Sequence, residues 1–589
     1  MRKTFLLLAV LSGVFISKVQ AIVIIKNKVA VSGIVIAKDA SAQVQAAVKT
    51  LQLYLQKSTG VTVPVSNQKQ GTSNLYVGKG AYSGIGNVSL DEDGFLLQTI
   101  DANNFVILGG SDWGTEFGVY DFLERFVGVR WLLPTDLGTV IPKLSTLEIP
   151  SVKIVENPVF LSRTLSPIVI EKNTTPLNQW GRVNRLRGRV EVSHNLKNLF
   201  PPAKYTRSNP EFYPMVKGKK LLPKDNNDQA WQPDFGAAGI ADAASKEIVN
   251  WFDRNKSVTN FSLGINDSGN FNEPAANTTN ARSMAQKNVM GFANASDQYY
   301  SWANNVISKV RKVYPGKKYT VLAYTSVAEP PSDKKVDKDI IPFIAFERMR
   351  WGNDGLKKTD QGLTQRWEQA AQTLGWYDYV YGNTYLVPRV WFHSMKEYLS
   401  WGNDHKVKYY YGELYPNWGE GPKAWVLAKL LWNPNQDVDA LLNDWYTNAA
   451  GKQGGAKLKA FYAIWEKFWS QDIFANNGNS DTRSRVTFFN PSYLASVPDD
   501  YLTQSDKLIG DAYKLAETEQ QKALVSKLTQ MWTVYKTSVV SYKKYQKGGR
   551  NSPEGRERLK LLQSLKTDLI YSLPANAILS RATVAGKDW

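Results

Sequence analysis

Short apolar runs alternate with amphipathic stretches along this chain, and the alternation changes character twice. Residues 22–155 open with strand-like runs at 23–25 and 34–36. Val44, Val48, Leu51 and Leu55 then recur at helical spacing behind Ser41, a residue suited to cap a first turn, and Gly60 supplies a stop. Runs at 75–78, 94–97 and 105–110 continue a sheet, and Val119, Leu123 and Phe126 mark one face of a second helix ending at Gly128. The pattern is that of a small α/β domain. Its glycine-bearing loop after residue 108 lacks both G-x-G-x-x-G spacing and a P-loop Lys, so it reads as a tight turn rather than a phosphate cradle.

Residues 156–435 carry eight apolar strand candidates: 159–165, 189–193, one within 211–231, 261–265, 319–324, 343–346, 377–381 and 407–411. Strands separated by helical or loop segments in this way predict a parallel (β/α)8 barrel of the TIM type. The third candidate is the weakest, because 212–216 and 220–222 read better as a hairpin. Beyond Pro434 helical spacing takes over, with Val438, Leu441 and Leu442, then Leu458, Phe461, Ile464, Trp465 and Phe468. The later stripe Leu524, Leu528, Trp532 and Tyr535 is packing. The expected fold class is α/β, with a leader at 1–21, an α/β accessory domain at 22–155, the barrel at 156–435 and a helical C-terminal domain at 436–589. That last domain can wall one side of the barrel mouth or form a homodimer interface.

The leader assignment rests on Met1-Arg2-Lys3, an apolar run over 5–16 and Lys18-Val19-Gln20-Ala21, the layout of a secretory signal peptide cut after Ala21. No segment reaches the length of a membrane span. The chain has no Cys, which removes disulfides, thiolate metal sites and an acylated N-terminal Cys. A periplasmic or extracellular location is expected. The formal charge of +19 falls to +16 when Arg2, Lys3 and Lys18 leave with the leader. Such a surplus suits a polyanion or is spread over solvated faces, and export argues against nucleic acid.

In a parallel barrel the C-terminal strand ends form the active face. Those ends carry Arg163, His194, Asn266 with Asp267, Tyr324, Glu347 with Arg348, Tyr381 with Asn383, and Glu413. Glycosidic cleavage needs one carboxyl to protonate the leaving oxygen and another to attack or to activate water. Asp267 is the acid candidate and Glu413 the base or nucleophile, with Glu347 able to replace either. Tyr324, Tyr381, Asn383, Trp418, His194 and Asn266 are candidates for sugar hydroxyls and ring faces, in a chain of 19 Trp and 29 Tyr. Arg163 and Arg348 offer guanidinium forks for a uronate carboxylate. Three His at unhelpful spacing give no metal motif, Asp91-Glu92-Asp93-Gly94 lacks the distal Glu of a calcium loop, and no G-x-S-x-G elbow occurs. No cofactor is expected.

Two stretches add a resemblance. Ile107-Leu108-Gly109-Gly110-Ser111-Asp112-Trp113-Gly114-Thr115-Glu116-Phe117-Gly118-Val119-Tyr120-Asp121-Phe122-Leu123-Glu124, with Gly128-Val129-Arg130-Trp131-Leu132-Leu133-Pro134, is similar to the N-terminal accessory domain of bacterial α-glucuronidases and β-hexosaminidases. Trp113 stands where Arg is more usual. In those families the domain precedes a catalytic (β/α)8 barrel. The barrel resembles an exported bacterial glycoside-hydrolase-like family through Ser193-His194-Asn195, Asn209-Pro210-Glu211-Phe212-Tyr213, Leu263-Gly264-Ile265-Asn266-Asp267, Ala323-Tyr324, Gly412-Glu413, Asn417-Trp418 and Trp432-Asn433-Pro434. This resemblance implies a glycoside-hydrolase-like protein and brings no substrate; the α-glucuronidase catalytic motifs do not lay onto this chain, so that specific activity is not carried over.

The expected function is therefore hydrolysis of oligo- or polysaccharides, uronic-acid-containing glycans among them. The alternative is a non-catalytic glycan-binding protein on the same scaffold, and a polyanion-binding surface protein is a third reading.

Overall fold

The computed structural model describes residues 21–172, 175–275, 278–382, 385–475, 491–547 and 552–565. The expected leader, apart from Ala21, lies outside them. Two compact units result: one holds the described residues up to Val129 together with Ile141–Asn157, and the other holds Arg130–Val140 and the chain from Pro158 onward.

The first unit holds a mixed six-stranded sheet in the order Lys153–Glu156, Phe95–Asp101, Asn104–Gly109, Ser73–Val77, Ser32–Val35, Val65–Ser66, and a small three-stranded antiparallel sheet of Leu147–Ile149, Ile22–Lys26 and Val29–Ala30. Helices Ala42–Thr59 and Asp112–Phe122 accompany it. Ser41 Oγ accepts from Val44 N at 3.2 Å, and Gly60 closes the first helix at φ 78°. The glycine loop is a packing junction. A Cβ at Gly109 would stand 1.9 Å from Thr115 N, and one at Gly110 would stand 2.1 Å from the Asp91 carbonyl oxygen.

The second unit is built on a curled sheet of six strands, every neighbouring pair parallel: β1 (Ser162–Ser166), β2 (Asn260–Ser262), β3 (Lys318–Ala323), β4 (Ile340–Phe346), β5 (Leu374–Asp378) and β6 (Val407–Glu413). Their order is β1-β6-β5-β4-β3-β2, so the last strand closes onto the first. Helices α1 (Pro176–Val183), α2 (Ile240–Arg254), α3 (Ser296–Arg311), α4 (Asp354–Ala370), α5 (Phe392–Asp404) and α6 (Lys423–Trp432) intervene. Positions along each strand alternate between interior and shell. Val190, Val192, Leu322, Ile341, Phe343, Tyr377, Tyr409 and Tyr411 share one interior cluster.

The barrel class holds, with two of the eight expected strand positions built differently. The third candidate forms a short helical turn at Pro210–Phe212 and a hairpin of Met215–Val216 with Lys219–Lys220, and adds nothing to the sheet. The second, 189–193, runs beside β2 without a backbone ladder. Side chains replace the ladder. Asn260 Oδ1 accepts from Glu191 N at 3.1 Å and its Nδ2 donates to Glu191 O at 2.8 Å. Ser262 Oγ accepts from Ser193 N at 3.1 Å and donates to Ser193 O at 2.8 Å. Each buried side chain thus makes the two bonds that a neighbouring backbone would make, which satisfies peptide groups that would be costly to leave unpaired.

Beyond α6 the chain is helical: Val438–Lys467, Asp499–Leu515, Glu519–Gln546 and Pro553–Leu565. Gly451 (φ 75°) breaks the first of these. These helices and the short turns Phe468–Asp472 and Pro491–Ser496 between them pack onto the loops after β5 and β6. Trp469 Nε1 donates to Pro388 O at 2.8 Å, Leu386 N donates to the Tyr493 hydroxyl at 2.8 Å, and the Tyr462 hydroxyl donates to Gly419 O at 3.0 Å. No helix among the described residues is long and apolar enough to cross a membrane.

Asn260→Ala removes both bonds to Glu191 and is expected to cost roughly 2–3 kcal/mol, read as a lowered urea midpoint; an unchanged midpoint would mean that the segment 187–195 is held by other means.

Candidate functional site

A cavity of about 130 Å³ lies within the second unit, lined by His194, Asp267, Leu322, Tyr324, Ala345, Tyr377, Tyr379, Tyr381 and Glu413. These residues belong to the C-terminal halves of β3, β4, β5 and β6 and to the turns beyond the strands. Five of the eleven residues predicted from sequence, Asp267, Glu413, His194, Tyr324 and Tyr381, meet here.

Each is positioned by a local device. Asp267 follows β2, and the turn that carries it is pinned by Asn266 and Gln232. Asn266 Oδ1 accepts from Lys197 N at 2.8 Å, and Asn266 Nδ2 donates to Trp231 O at 2.9 Å. Gln232 Nε2 in turn donates to Asn266 O at 2.6 Å and to Ser268 O at 2.8 Å. The Asp267 side chain itself is exposed. Gly264 is required just before it, since a Cβ there would come within 2.2 Å of Ser193 O. His194 Nδ1 stands 2.5 Å from Ile265 O. A carbonyl only accepts, so Nδ1 carries the proton. Glu413 ends β6 half-buried, and the Tyr377 hydroxyl donates to its Oε1. Burial first, and then the Glu413 charge, push the Tyr377 hydroxyl well above its ordinary range, so it remains a neutral donor.

The wall is aromatic. Tyr377 stacks on Tyr411 with centroids 4.7 Å apart. Tyr381 lies between Tyr379 and Tyr415, at 6.3 Å and 5.4 Å, with interplanar angles of 5° and 12°. Flat tyrosine faces beside two carboxylates suit a sugar ring and its hydroxyls. Tyr377 and Tyr379, and the small apolar floor of Leu322 and Ala345, were not anticipated. The signal for the tyrosines was present, since 377, 379 and 381 alternate with the shell residues Trp376, Asp378 and Val380.

The other predicted residues lie elsewhere. Arg163 sits near the start of β1, because the strand begins later than its apolar run suggests. Its buried guanidinium donates to Phe160 O at 2.8 Å and Arg185 O at 3.0 Å and lies over Trp432. Arg348, also buried, pairs with Asp360 at 3.2 Å and stacks 3.8 Å from the Trp376 ring. Neither lines the cavity, so neither holds a uronate there. Glu347 is buried and ion-paired with Arg389. Strand parity aims it inward after Ile341, Phe343 and Ala345, but β4 ends at Phe346 and a tight turn, Arg348–Gly352, redirects it. Asn266 is buried framework. Trp418 is buried against Trp180, ring centroids 5.3 Å apart. Asn383 lies outside the described residues. Among the described residues no group of three or more His, Asp or Glu is placed to hold a metal.

Residues 133–463, over half of the chain, match the family model described as Domain of unknown function (DUF4838). The chain belongs to the DUF4838 family. Residues 21–122 of this DUF4838 chain match the Glycosyl hydrolase family 67 N-terminus, in agreement with the resemblance carried by the glycine loop and its helix. A comparison with curated proteins finds no match. Among solved structures, a family GH115 4-O-methyl-α-glucuronidase, BtGH115A, with specificity for decorated arabinogalactans, aligns with TM-score 0.55 and 13% identity over 95% of this chain and 78% of its own. A GH138 enzyme targeting pectin rhamnogalacturonan II aligns with TM-score 0.48 and 11% identity over 94% and 92%. A family 89 glycoside hydrolase from Clostridium perfringens gives 0.48 and 10% over 89% and 66%. At 13% identity the GH115 likeness is one of fold, and the DUF4838 chain is glycoside-hydrolase-like in architecture with a family-67-type N-terminal domain.

Arg348→Ala strands Asp360 as a buried, unpaired charge and is expected to cost about 3–5 kcal/mol, measured by chemical denaturation; a variant that lost glycan binding at unchanged stability would return Arg348 to the site.

Proposed function

We propose that this chain is an exported glycoside hydrolase that cleaves oligo- or polysaccharides with Asp267 and Glu413 as its acid–base pair. The observation that carries the reading is that these two carboxylates, 146 residues apart in sequence, line one small aromatic-walled cavity at the C-terminal strand ends. That is where parallel barrels place their chemistry. Asp267, exposed on a pinned turn, is the acid that meets the leaving oxygen. Glu413, with one oxygen already fixed by the Tyr377 hydroxyl, is the base or nucleophile, a role that demands a constant orientation. Tyr324, Tyr379 and Tyr381 supply ring faces, and His194 a polar edge. The basic, apolar, small-residue leader at 1–21 supports export to the periplasm or beyond.

A panel of neutral and uronic-acid glycans, assayed for released reducing sugar, tests this. Asp267→Asn and Glu413→Gln are each expected to lower kcat by roughly 10²- to 10⁴-fold with the circular dichroism spectrum unchanged. Full turnover in both variants would contradict the assignment. A wild-type protein that binds glycans and releases no sugar from any of them would be a glycan-binding protein on this scaffold.

A further inference from the structure

Directly behind the tyrosine wall lie four charged side chains that the proposed chemistry does not use. Glu347, Arg389, Glu420 and Lys423 are each 2% exposed or less. Arg389 pairs with Glu347, and Lys423 Nζ stands 2.6 Å from Glu420 Oε2. The two pairs are joined where Arg389 N donates to Glu420 Oε1 at 3.2 Å. Burying four formal charges is expensive even when they neutralise one another, and an apolar cluster of the same volume is often as stable. Packing alone gives no reason for them.

Their other contacts do. The β5–β6 ladder ends at Asp378 paired with Gly412. Beyond it Gly382 N still donates to Leu414 O at 2.9 Å, but the carbonyls of Tyr379 and Tyr381 take their partners from side chains. Arg389 Nη1 donates to Tyr379 O at 3.3 Å and to Tyr381 O at 2.8 Å, and Lys423 Nζ donates to Tyr381 O at 3.3 Å. A Cβ on Gly382, the residue after, would come within 2.5 Å of Glu420 Oε2, so the backbone lies directly against the cluster. Both cations also lie over the Trp391 ring, at 4.8 Å and 5.0 Å. Neither cation lines the cavity.

We propose that the Glu347–Arg389–Glu420–Lys423 quartet is a positioning device: its two cations replace the missing strand ladder and fix the backbone of Tyr379 and Tyr381, so that their rings face the sugar cavity in register with Tyr415. The cations hold the carbonyls, and the carboxylates hold the cations. In this scheme Glu347 and the other three are positioning residues, while Tyr379 and Tyr381 touch the ligand. The use of the wall for sugar rests on the proposed function; the fixing of the rings does not.

Two charge-balanced double variants, Glu347→Gln with Arg389→Gln and Glu420→Gln with Lys423→Met, remove each pair without stranding a charge. Arg389→Lys keeps the pair with Glu347 and loses the reach to both carbonyls. Crystal structures of these variants are the test. The proposal expects the barrel intact and the Tyr379–Tyr381–Tyr415 stack broken in at least one folded variant. On a hydrolysed glycan, kcat/KM should fall roughly 10- to 100-fold, and adding Tyr381→Ala should cost less than it does in the wild-type protein, because the two changes share the Tyr381 ring. Rings unmoved in every folded variant, or losses that simply add to that of Tyr381→Ala, would overturn it. Absence of turnover in the wild-type protein would remove the hydrolase reading and leave the ring positions to decide this one.

Discussion

The register of six parallel strands is the constraint on which the rest depends. Ser166 is level with Glu413, Asp378 with Gly412, and Phe346 with Asp378. Parallel pairing brings the C-terminal ends of these strands to one face, and the period of two then sorts each strand into an interior and a shell. Glu413 reaches the cavity because Tyr409 and Tyr411 precede it on the interior face, while Tyr410 between them is wholly buried in the shell and donates to Asp378 at 2.9 Å. A slip of one residue in β6 would exchange those roles and remove the carboxylate.

Charge is distributed in two ways around that sheet. The cavity side carries two carboxylates, a histidine and tyrosines. The shell side carries buried ion pairs, Arg348 with Asp360 and Arg389 with Glu347, wrapped in Trp351, Trp376, Trp391 and Trp469. Burial raises both the Asp360 and the Asp378 carboxyl, opposed by the neighbouring Arg348 guanidinium. The cations anchor strand ends to the helical layer by gripping carbonyls as well as carboxylates. The buried ion pairs and the cavity residues thus gather around the ends of the same strands.

Much of this was legible in the chain, and the reasons for the exceptions are specific. The apolar runs located the strands because a parallel sheet buried on both faces demands them. The same burial made polar residues at strand ends ambiguous. Arg163 and Arg348 read as substrate forks, yet an arginine beside a strand end can equally fold back against tryptophans, and sequence does not say which. Parity would have separated some cases: Glu413 lies in phase with Tyr409 and Tyr411, and Tyr377, Tyr379 and Tyr381 lie in phase with one another. It fails at Glu347, where the strand has already given way to a turn. Of the two irregular barrel positions, the hairpin within 211–231 was legible in its own residues, and the other was not. The segment 189–193 alternates Val190 and Val192 with polar residues as a strand does, and its ladder is made by the side chains of Asn260 and Ser262, which no hydropathy pattern registers.

The proposed chemistry requires a sugar in the hollow shared by Asp267 and Glu413. A crystal structure of the Glu413→Gln protein soaked with an oligosaccharide tests it most directly. The expected result is a sugar ring lying against Tyr379 and Tyr381, with its glycosidic oxygen within hydrogen-bonding reach of Asp267 and its anomeric carbon facing residue 413. A ring bound elsewhere on the molecule, with this hollow empty, would contradict it.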